Sequence, residues 1–285
     1  MTDGTIARGA EGSGADRHAE RRRFARMLAT SGGDVARRML DELASAELDA
    51  RAKSSATDPV TVIDTAVEQH LRRTVAEHRP GDGVLGEEEG ESSHGDGGGT
   101  RWIVDPVDGT VNLLYGIPFT AVSVAAEVDG RVVAGAVHNI VTGETWTAGH
   151  GGGATLERPD GTVVDLAASG CRDLAMALVG TGFAYDAGIR AEQGAVVAAL
   201  LPRVRDIRRC GSAALDLCML ATGRLDAYYE RGLKPWDHAA GALIAAEAGA
   251  VVASSSDDAV PTTAAAPGVV AAFLAALGEC GGLSS

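Results

Sequence analysis

The sequence predicts a mixed α/β (α+β) fold in which helices and sheets are interleaved in one compact unit. Three observations predict this. Apolar residues recur at three- and four-residue intervals over residues 19–51, as on one face of a helix. Strand-like stretches separated by two-residue turns fill residues 121–164. Beyond Cys171, helical and strand-like patterns alternate, which is typical of layered α/β proteins.

The elements of the first half follow from these patterns in chain order. A helix over residues 19–51 is followed by the turn-prone Thr57-Asp58-Pro59 and a second helix over 62–78. Short strands are expected at 84–86 and 101–104, the second ending at Asp105-Pro106. An antiparallel meander comes next, with turns at Asp129-Gly130, Thr142-Gly143 and Asp160-Gly161.

In the second half, helices are predicted at 191–201, 212–222 and 238–248, with strands at 178–181, 204–208 and 226–229. A polar loop at 254–258 precedes a last strand and helix, at 269–277. Residues 1–18 are interpreted as a disordered leader. Residues 19–280 are expected to form a single domain of two merged halves, about 19–165 and 166–280.

Composition excludes several classes of function. The formal net charge of −14 disfavours non-specific nucleic-acid binding, which needs a basic surface. No run of about 18 apolar residues indicates a membrane helix, and no signal peptide is evident. Four scattered cysteines without a CxxC pair fit a reducing cytoplasm and offer no zinc site. So acidic a chain would repel an anionic substrate unless its carboxylates hold divalent cations.

Three acidic segments could hold such cations, although each has a simpler interpretation. Asp105-Pro106-Val107-Asp108-Gly109-Thr110 places two carboxylates and two free amides at a strand end, but it could be an ordinary turn. Gly86-Glu87-Glu88-Glu89 could supply a ligand in Glu87 or be a solvated acidic loop. Asp237, in Trp236-Asp237-His238, could be a helix N-cap, a metal ligand or both.

Together these segments resemble the inositol monophosphatase family, within the fructose-1,6-bisphosphatase-like superfamily. The resemblance covers about residues 53–277 and includes Asp58-Pro59-Val60-Thr61-x-x-Asp64, Gly211-Ser212-Ala213-Ala214 and Trp236-Asp237-x-Ala239-Ala240-Gly241. It implies a layered αβαβα sandwich and a phosphomonoesterase that uses two to three Mg²⁺ ions. A homodimer and lithium sensitivity are implied by the same resemblance. One departure is that Gly151-Gly152-Gly153-Ala154 is not followed by the family's Asn-Gly turn.

The resemblance also implies a role for each matching residue. The first Mg²⁺ would be bound by Glu87, Asp105 and the Val107 carbonyl, and the second by Asp105, Asp108 and Asp237. A weaker third ion would share Glu87. Glu87 and Thr110 would position the attacking water, and Asp64 would polarise the Thr110 hydroxyl. Phosphate would be held by the amides of Gly109 and Thr110, and inositol by Gly211, Ser212, Ala213 and Glu230. Lys53 matches the base of a mobile loop.

Myo-inositol monophosphate is the first choice of substrate on this resemblance. Fructose 1,6-bisphosphate, histidinol phosphate and adenosine 3′,5′-bisphosphate stay open, because Arg205, Arg208 and Arg209 could bind a second phosphate. A non-catalytic regulatory binding protein is the alternative of a different class. The expected partner is a small-molecule phosphate, with no nucleic acid and no membrane.

Overall fold

The structure is a computed structural model that describes residues 14–49, 59–92, 99–255, 257 and 260–283. Lys53, Asp58 and the first thirteen residues of the predicted leader lie outside the described residues. The leader was expected to extend to residue 18, but the first helix begins at Gly14. The last five leader positions are therefore helical.

In its described residues, the first half forms three helices and eight strands. The helices are α1 (Gly14–Asp49), α2 (Pro59–His78) and the short α3 (Thr110–Leu114). The strands are β1 (Gly83–Gly86), β2 (Gly90–Glu91), β3 (Arg101–Asp108), β4 (Ala121–Val128), β5 (Arg131–Asn139), β6 (Thr145–Gly149), β7 (Ala154–Glu157) and β8 (Val163–Asp165). The meander β4 to β8 turns where the sequence predicts, and a strand, β7, follows the Gly151–Gly153 turn.

The second half alternates strands and helices. In chain order they are β9 (Leu178–Thr181), α4 (Ala187–Leu200), β10 (Asp206–Arg208), α5 (Ala213–Ala221), β11 (Ala227–Glu230), α6 (Pro235–Glu247), β12 (Val251–Ala253), β13 (Thr262–Ala265) and α7 (Val270–Glu279). The prediction missed β12, and it placed the last strand beside α7 rather than at β13. It also began α6 three residues late.

These elements stack in five layers. Strands β1 to β8 form one sheet in the order β2-β1-β3-β4-β5-β6-β7-β8, and β9 to β13 form a second in the order β10-β9-β11-β13-β12. Helices α1 and α2 cover the outer face of the first sheet, and α5 and α6 lie between the sheets. Helices α4 and α7 cover the outer face of the second sheet. The predicted αβαβα sandwich is confirmed.

Three hydrophobic cores hold the five layers together. Leu28, Leu71 and Trp102 belong to the core beneath α1 and α2. The core between the sheets is lined largely by the alanines and leucines of α5 and α6, whose small side chains allow close packing. Phe273 and Tyr229 belong to the third core, beneath α4 and α7. The middle layer is therefore fixed from both sides, and the ends of its helices are held in place.

None of the described helices is both long and apolar enough to span a bilayer.

Replacing Phe273 by alanine tests the outermost core. Phe273 is fully buried, so Phe273→Ala should lower the free energy of unfolding by about 3–5 kcal/mol through lost burial and a cavity. Denaturant titration followed by circular dichroism measures this. The matched control is Leu201→Ala, at a side chain that is 49% exposed and should change stability little. Equal losses in both variants would contradict the assignment of this core.

Candidate active site

Strand β3 carries the two central carboxylates across a bulge. Asp105 pairs with Ser123 of β4 and Asp108 with Ala121, so three steps on β3 match two on β4. The extra residue bends the strand and changes the direction of its end, as bulges near active sites commonly do. The sequence placed these aspartates on a turn after the strand, but both belong to β3 and both are buried. The Asp105 carboxylate accepts the Val107 N–H at 3.0 Å.

Gly109 forms the tight turn between β3 and α3. Its φ of +92° lies in the left-handed region, and a Cβ here would lie 2.8 Å from the Phe119 carbonyl oxygen. The next residue, Thr110, opens α3, and its hydroxyl donates to the Val107 carbonyl at 3.0 Å. The single hydroxyl hydrogen of Thr110 is thus directed to Val107 in this structure, whereas the resemblance pairs this hydroxyl with Asp64. Asp64 is buried on α2.

The N-terminus of α5 holds Asp108. One carboxylate oxygen of Asp108 accepts the Ser212 hydroxyl at 2.6 Å and the Ala214 N–H at 2.7 Å. Ser212 is also the N-cap of α5, because its hydroxyl oxygen accepts the Leu215 N–H. Burial raises the pKa of Asp108 to about 6, although these donors and Arg209 favour its charged form. The helix end therefore stabilises a carboxylate that burial disfavours.

A buried ion pair on α2 shapes the acidic turn after β1. The Glu68 carboxylate is inaccessible to solvent and accepts the backbone N–H groups of Glu88 and Glu89 at 2.8 and 3.0 Å. Arg72 pairs with Glu68 at 2.8 Å and also donates to the Gly90 carbonyl. A side chain at Gly86 would collide with the Glu68 carboxylate. These contacts set the position of Glu87, and sequence analysis gave Glu68 and Arg72 no role.

Asp237 occupies the first turn of α6 rather than its N-cap. Lys234 is the N-cap, and the Asp237 carboxylate accepts the Lys234 N–H at 2.6 Å. The interpretation of Asp237 as an N-cap is therefore wrong, because the helix begins at Pro235. Proline suits this first position because it has no N–H to leave unpaired. The carboxylate still satisfies a backbone donor of the helix start.

The electrostatic potential around Asp105 is strongly negative. Burial raises the pKa of Asp105 well above its usual range, and the carboxylates of Asp108, Glu87, Asp237 and Asp64 raise it further. Partial burial and the neighbouring Glu88, Asp108 and Glu68 raise the pKa of Glu87 to about 7. Burial and Asp108 also raise the pKa of Asp237. Folding thus brings the predicted metal ligands into one electrostatic cluster.

Asn112 joins the two halves of the chain beside this cluster. Its side-chain amide donates to the Phe119 carbonyl at 2.7 Å and to the Cys210 carbonyl at 2.8 Å. The second contact fixes the segment that leads into Gly211, Ser212 and Ala213. The motif Asp105–Asn112 therefore lies against the predicted inositol-binding segment.

Glu230 is the last residue of β11, and its carboxylate interacts electrostatically with Asp216 and Asp108. The Tyr228 hydroxyl donates to the Glu230 carboxylate, and burial raises the pKa of Glu230 to about 7, with a contribution from Asp108. Asp216, buried on α5, has its pKa raised by burial and by Glu230. Sequence analysis missed Asp216, since one aspartate in an apolar helix carries no motif.

Tyr185 lies close enough to the cluster for the charges of Glu87, Asp108 and Asp237 to act on it. Its side chain is exposed, yet partial burial and the charge of Glu87 raise the pKa of its hydroxyl. The loop is anchored because the Ala184 N–H donates to Gln193, whose amide donates to the Arg231 carbonyl. Sequence analysis did not single out Tyr185, since the loop has no motif.

The donor set suits a hard divalent cation. Glu87, Asp105, Asp108 and Asp237 offer only oxygen atoms, which Mg²⁺ prefers, and their mutual repulsion would be relieved by positive charge. Within the described ranges, no group of three or more Asp, Glu, His or Cys side chains is arranged so that it could hold a metal ion. The residues therefore fit the cation by the chemistry of their oxygen donors and not by their present arrangement.

The chain resembles known proteins of one family and fold. The family described as "Inositol monophosphatase family" matches residues 18–279. The chain is 52% identical over 242 residues to the inositol-1-monophosphatase of Mycobacterium leprae, covering 82% of this chain and 83% of that one. It is 37% identical to the Nus factor SuhB of Pasteurella multocida, with 79% and 85% covered. The solved structure of Mycobacterium tuberculosis SuhB superposes with a TM-score of 0.81 at 46% identity, over 93% of this chain and 98% of that chain.

The raised pKa values predict an unusual pH dependence of stability. Glu87 and Asp108, with pKa values near 7 and 6, hold more protons when folded than when unfolded, where carboxyls ionise near pH 4. Stability without divalent cations should therefore fall as the pH rises from 5 to 8. Thermal unfolding in a chelating buffer measures this, and excess Mg²⁺ should remove most of the decline.

The double variant Glu87→Gln/Asp108→Asn is the control, because its amides do not titrate. Its melting temperature should depend less on pH in the chelating buffer. A wild-type protein that gains stability with rising pH in that buffer would contradict the electrostatic account.

Proposed function

This chain belongs to the inositol monophosphatase family, and from that premise we propose that it is a Mg²⁺-dependent enzyme that hydrolyses myo-inositol monophosphate to inositol and phosphate. The observation that carries the proposal is the cluster of carboxylates around Asp105, which adjoins the backbone turn at Gly109. Its relative in Mycobacterium leprae is named an inositol-1-monophosphatase. The chain is accordingly a phosphoric monoester hydrolase by family, and its substrate and metal are our inference.

We propose that two to three Mg²⁺ ions are held by the side chains of Glu87, Asp105, Asp108 and Asp237 and by the Val107 carbonyl. When bound, Mg²⁺ supplies a water of lowered pKa and positive charge against the phosphoryl oxygens and the leaving alkoxide. Such charge neutralisation is most of what phosphoryl transfer to water requires. No Ser, Cys or His nucleophile is needed in this scheme.

The chain's own groups position the reactants. The N–H groups of Gly109 and Thr110 would bind phosphate oxygens, since backbone amides at such a turn favour anions. Glu87 and the Thr110 hydroxyl would orient the attacking water. For that orientation, Thr110 would release the Val107 carbonyl and turn toward Asp64.

The polyol would lie against Gly211, Ser212, Ala213 and Glu230. The pKa of Glu230 is about 7, so its carboxyl group can either accept or donate hydrogen bonds to ring hydroxyls. Tyr185, which is exposed and interacts electrostatically with Glu87, would contact the ring from the solvent side. From the resemblance we also propose a cytoplasmic homodimer that lithium inhibits.

A substrate panel tests the function. Phosphate release should be fastest from myo-inositol 1-phosphate and slower from fructose 1,6-bisphosphate, histidinol phosphate and adenosine 3′,5′-bisphosphate. Release should stop in chelator, because the carboxylates alone repel the phosphate. Preference for another compound would replace the substrate and keep the metal site. Activity that is unaffected by chelator would contradict the mechanism.

The regulatory alternative rests on one observation, the relative in Pasteurella multocida that is named a Nus factor. If none of the four compounds releases phosphate with Mg²⁺, the non-catalytic binding role becomes the better explanation.

Asp108→Asn tests the metal assignment. The amide oxygen can still accept from Ser212 and Ala214, so the fold should persist, whereas loss of the charge should lower kcat roughly 10²–10³-fold. Steady-state kinetics with saturating Mg²⁺ measure this. The control is Asp173→Asn. Asp173 is exposed and caps the short 3-10 helix Leu174–Met176, and asparagine is an equally good N-cap, so this variant should stay active. Near-normal turnover in Asp108→Asn would refute the proposed ligand set.

A further inference from the structure

A basic cavity lies at the other end of the first sheet from the carboxylate cluster. It has a volume of about 540 Å³ and is lined by Arg17, His18 and Arg21 of α1, by Asp129 and Arg131 of the β4–β5 turn, and by His150 after β6. Two valines complete its wall. Volumes of this order are typical of small-ligand sites.

The charge of the lining is opposite to that of the whole chain. Three guanidinium groups face one carboxylate, that of Asp129, in a protein whose formal net charge is −14. Within the described part of the chain, the side chains of Arg17 and Arg131 form no ion pair. Arg21 uses its Nε–H on the Thr100 hydroxyl at 2.9 Å. Guanidinium groups with unused donors are suited to bidentate binding of phosphate.

The walls of the cavity are held rigidly. Arg22 of α1 donates to the Thr147 carbonyl at 3.1 Å and to the Thr155 hydroxyl at 2.6 Å, which fixes the helix against β6 and β7. The Glu247 carboxylate accepts the N–H groups of Gly151 and Gly153 at 2.8 and 2.9 Å, which fixes the turn next to His150. The backbone around the cavity therefore needs little rearrangement to bind a ligand, whereas the exposed side chains of Arg17 and Arg131 would become ordered on binding.

The cavity is also remote from the active site. Strand β4 runs from Ala121, which pairs with Asp108, to Val128, which lines the cavity. Eight strand residues span roughly 23 Å at 3.3 Å per residue. An anion bound here would not share contacts with one bound at Gly109.

We propose that this cavity is a second ligand site, which binds a small phosphate compound of more than one negative charge. Its three guanidinium groups surround one volume, so a ligand with two or more phosphoryl groups can engage them together. The two imidazoles, whose ring centroids are 6.0 Å apart, can offer their Nε2 atoms, because Nδ1 of His18 lies 3.4 Å from the His150 carbonyl and Nδ1 of His150 lies 3.5 Å from the Glu247 carboxylate. The proposal does not depend on the substrate of the enzyme.

Isothermal titration with sodium pyrophosphate in a chelating buffer tests the site. Without divalent cations the carboxylate cluster repels anions, so binding should report the basic cavity alone. We expect one pyrophosphate per chain, and about tenfold weaker binding to Arg17→Ala/Arg131→Ala. That variant should fold normally, because neither side chain makes a hydrogen bond in the described part of the protein.

Two controls separate the cavity from general charge and from the active site. Arg73→Ala/Arg158→Ala removes the same charge at exposed positions elsewhere, and it should bind pyrophosphate as the wild type does. Asp108→Asn should also bind it unchanged. The proposal is overturned if the wild type fails to bind, if both arginine double variants weaken equally, or if Asp108→Asn changes the affinity markedly.

Discussion

Folding places Asp105 in the field of four other carboxylates, and much of the surrounding structure offsets the repulsion among them. Each acidic group is held by a different element. Asp108 accepts from the start of α5, Asp237 from the start of α6, and the turn of Glu87 is held by Glu68 of α2. Because every pKa unit corresponds to about 1.4 kcal/mol, raised values of this size represent a substantial local cost of folding.

The layered architecture explains how the repulsion among the carboxylates is partly offset. Helices α5 and α6 lie between the two sheets, and the first turns of both meet the end of β3 at the cluster. The N-terminus of a helix carries a partial positive charge, so two such ends partly neutralise the aspartates they contact. The alanine-rich faces of these helices allow both to approach the strands closely.

Much of the fold could be predicted from the sequence because its signals are local. The apolar spacing of α1 and α2 and the turn pairs of the meander are short-range patterns, and the structure follows them to within a few residues. The short strands β12 and β13 could not be placed, because β12 pairs with β13, and β13 pairs with β11, which lies more than thirty residues earlier in the chain. The start of α6 was misplaced because the capping contact of Lys234 with Asp237 leaves no apolar signal.

The same difference between local and long-range signals decides which residues of the candidate site could be predicted. Its acidic motifs are contiguous in sequence, and so Glu87, Asp105, Asp108 and Asp237 could be named in advance. Glu68, Asp216 and Tyr185 could not, because each acts on a residue distant in the chain and belongs to no motif. The bulge in β3 was also missed, since only the register with β4 reveals it.

The amide of Asn112 has a consequence for how such a chain can evolve. It ties a loop of the first half to Cys210 of the second, next to the bond between Asp108 and Ser212. Neither half therefore holds the whole candidate site. Recombination that exchanged one half for that of a distant homologue would have to preserve these contacts to keep the site together.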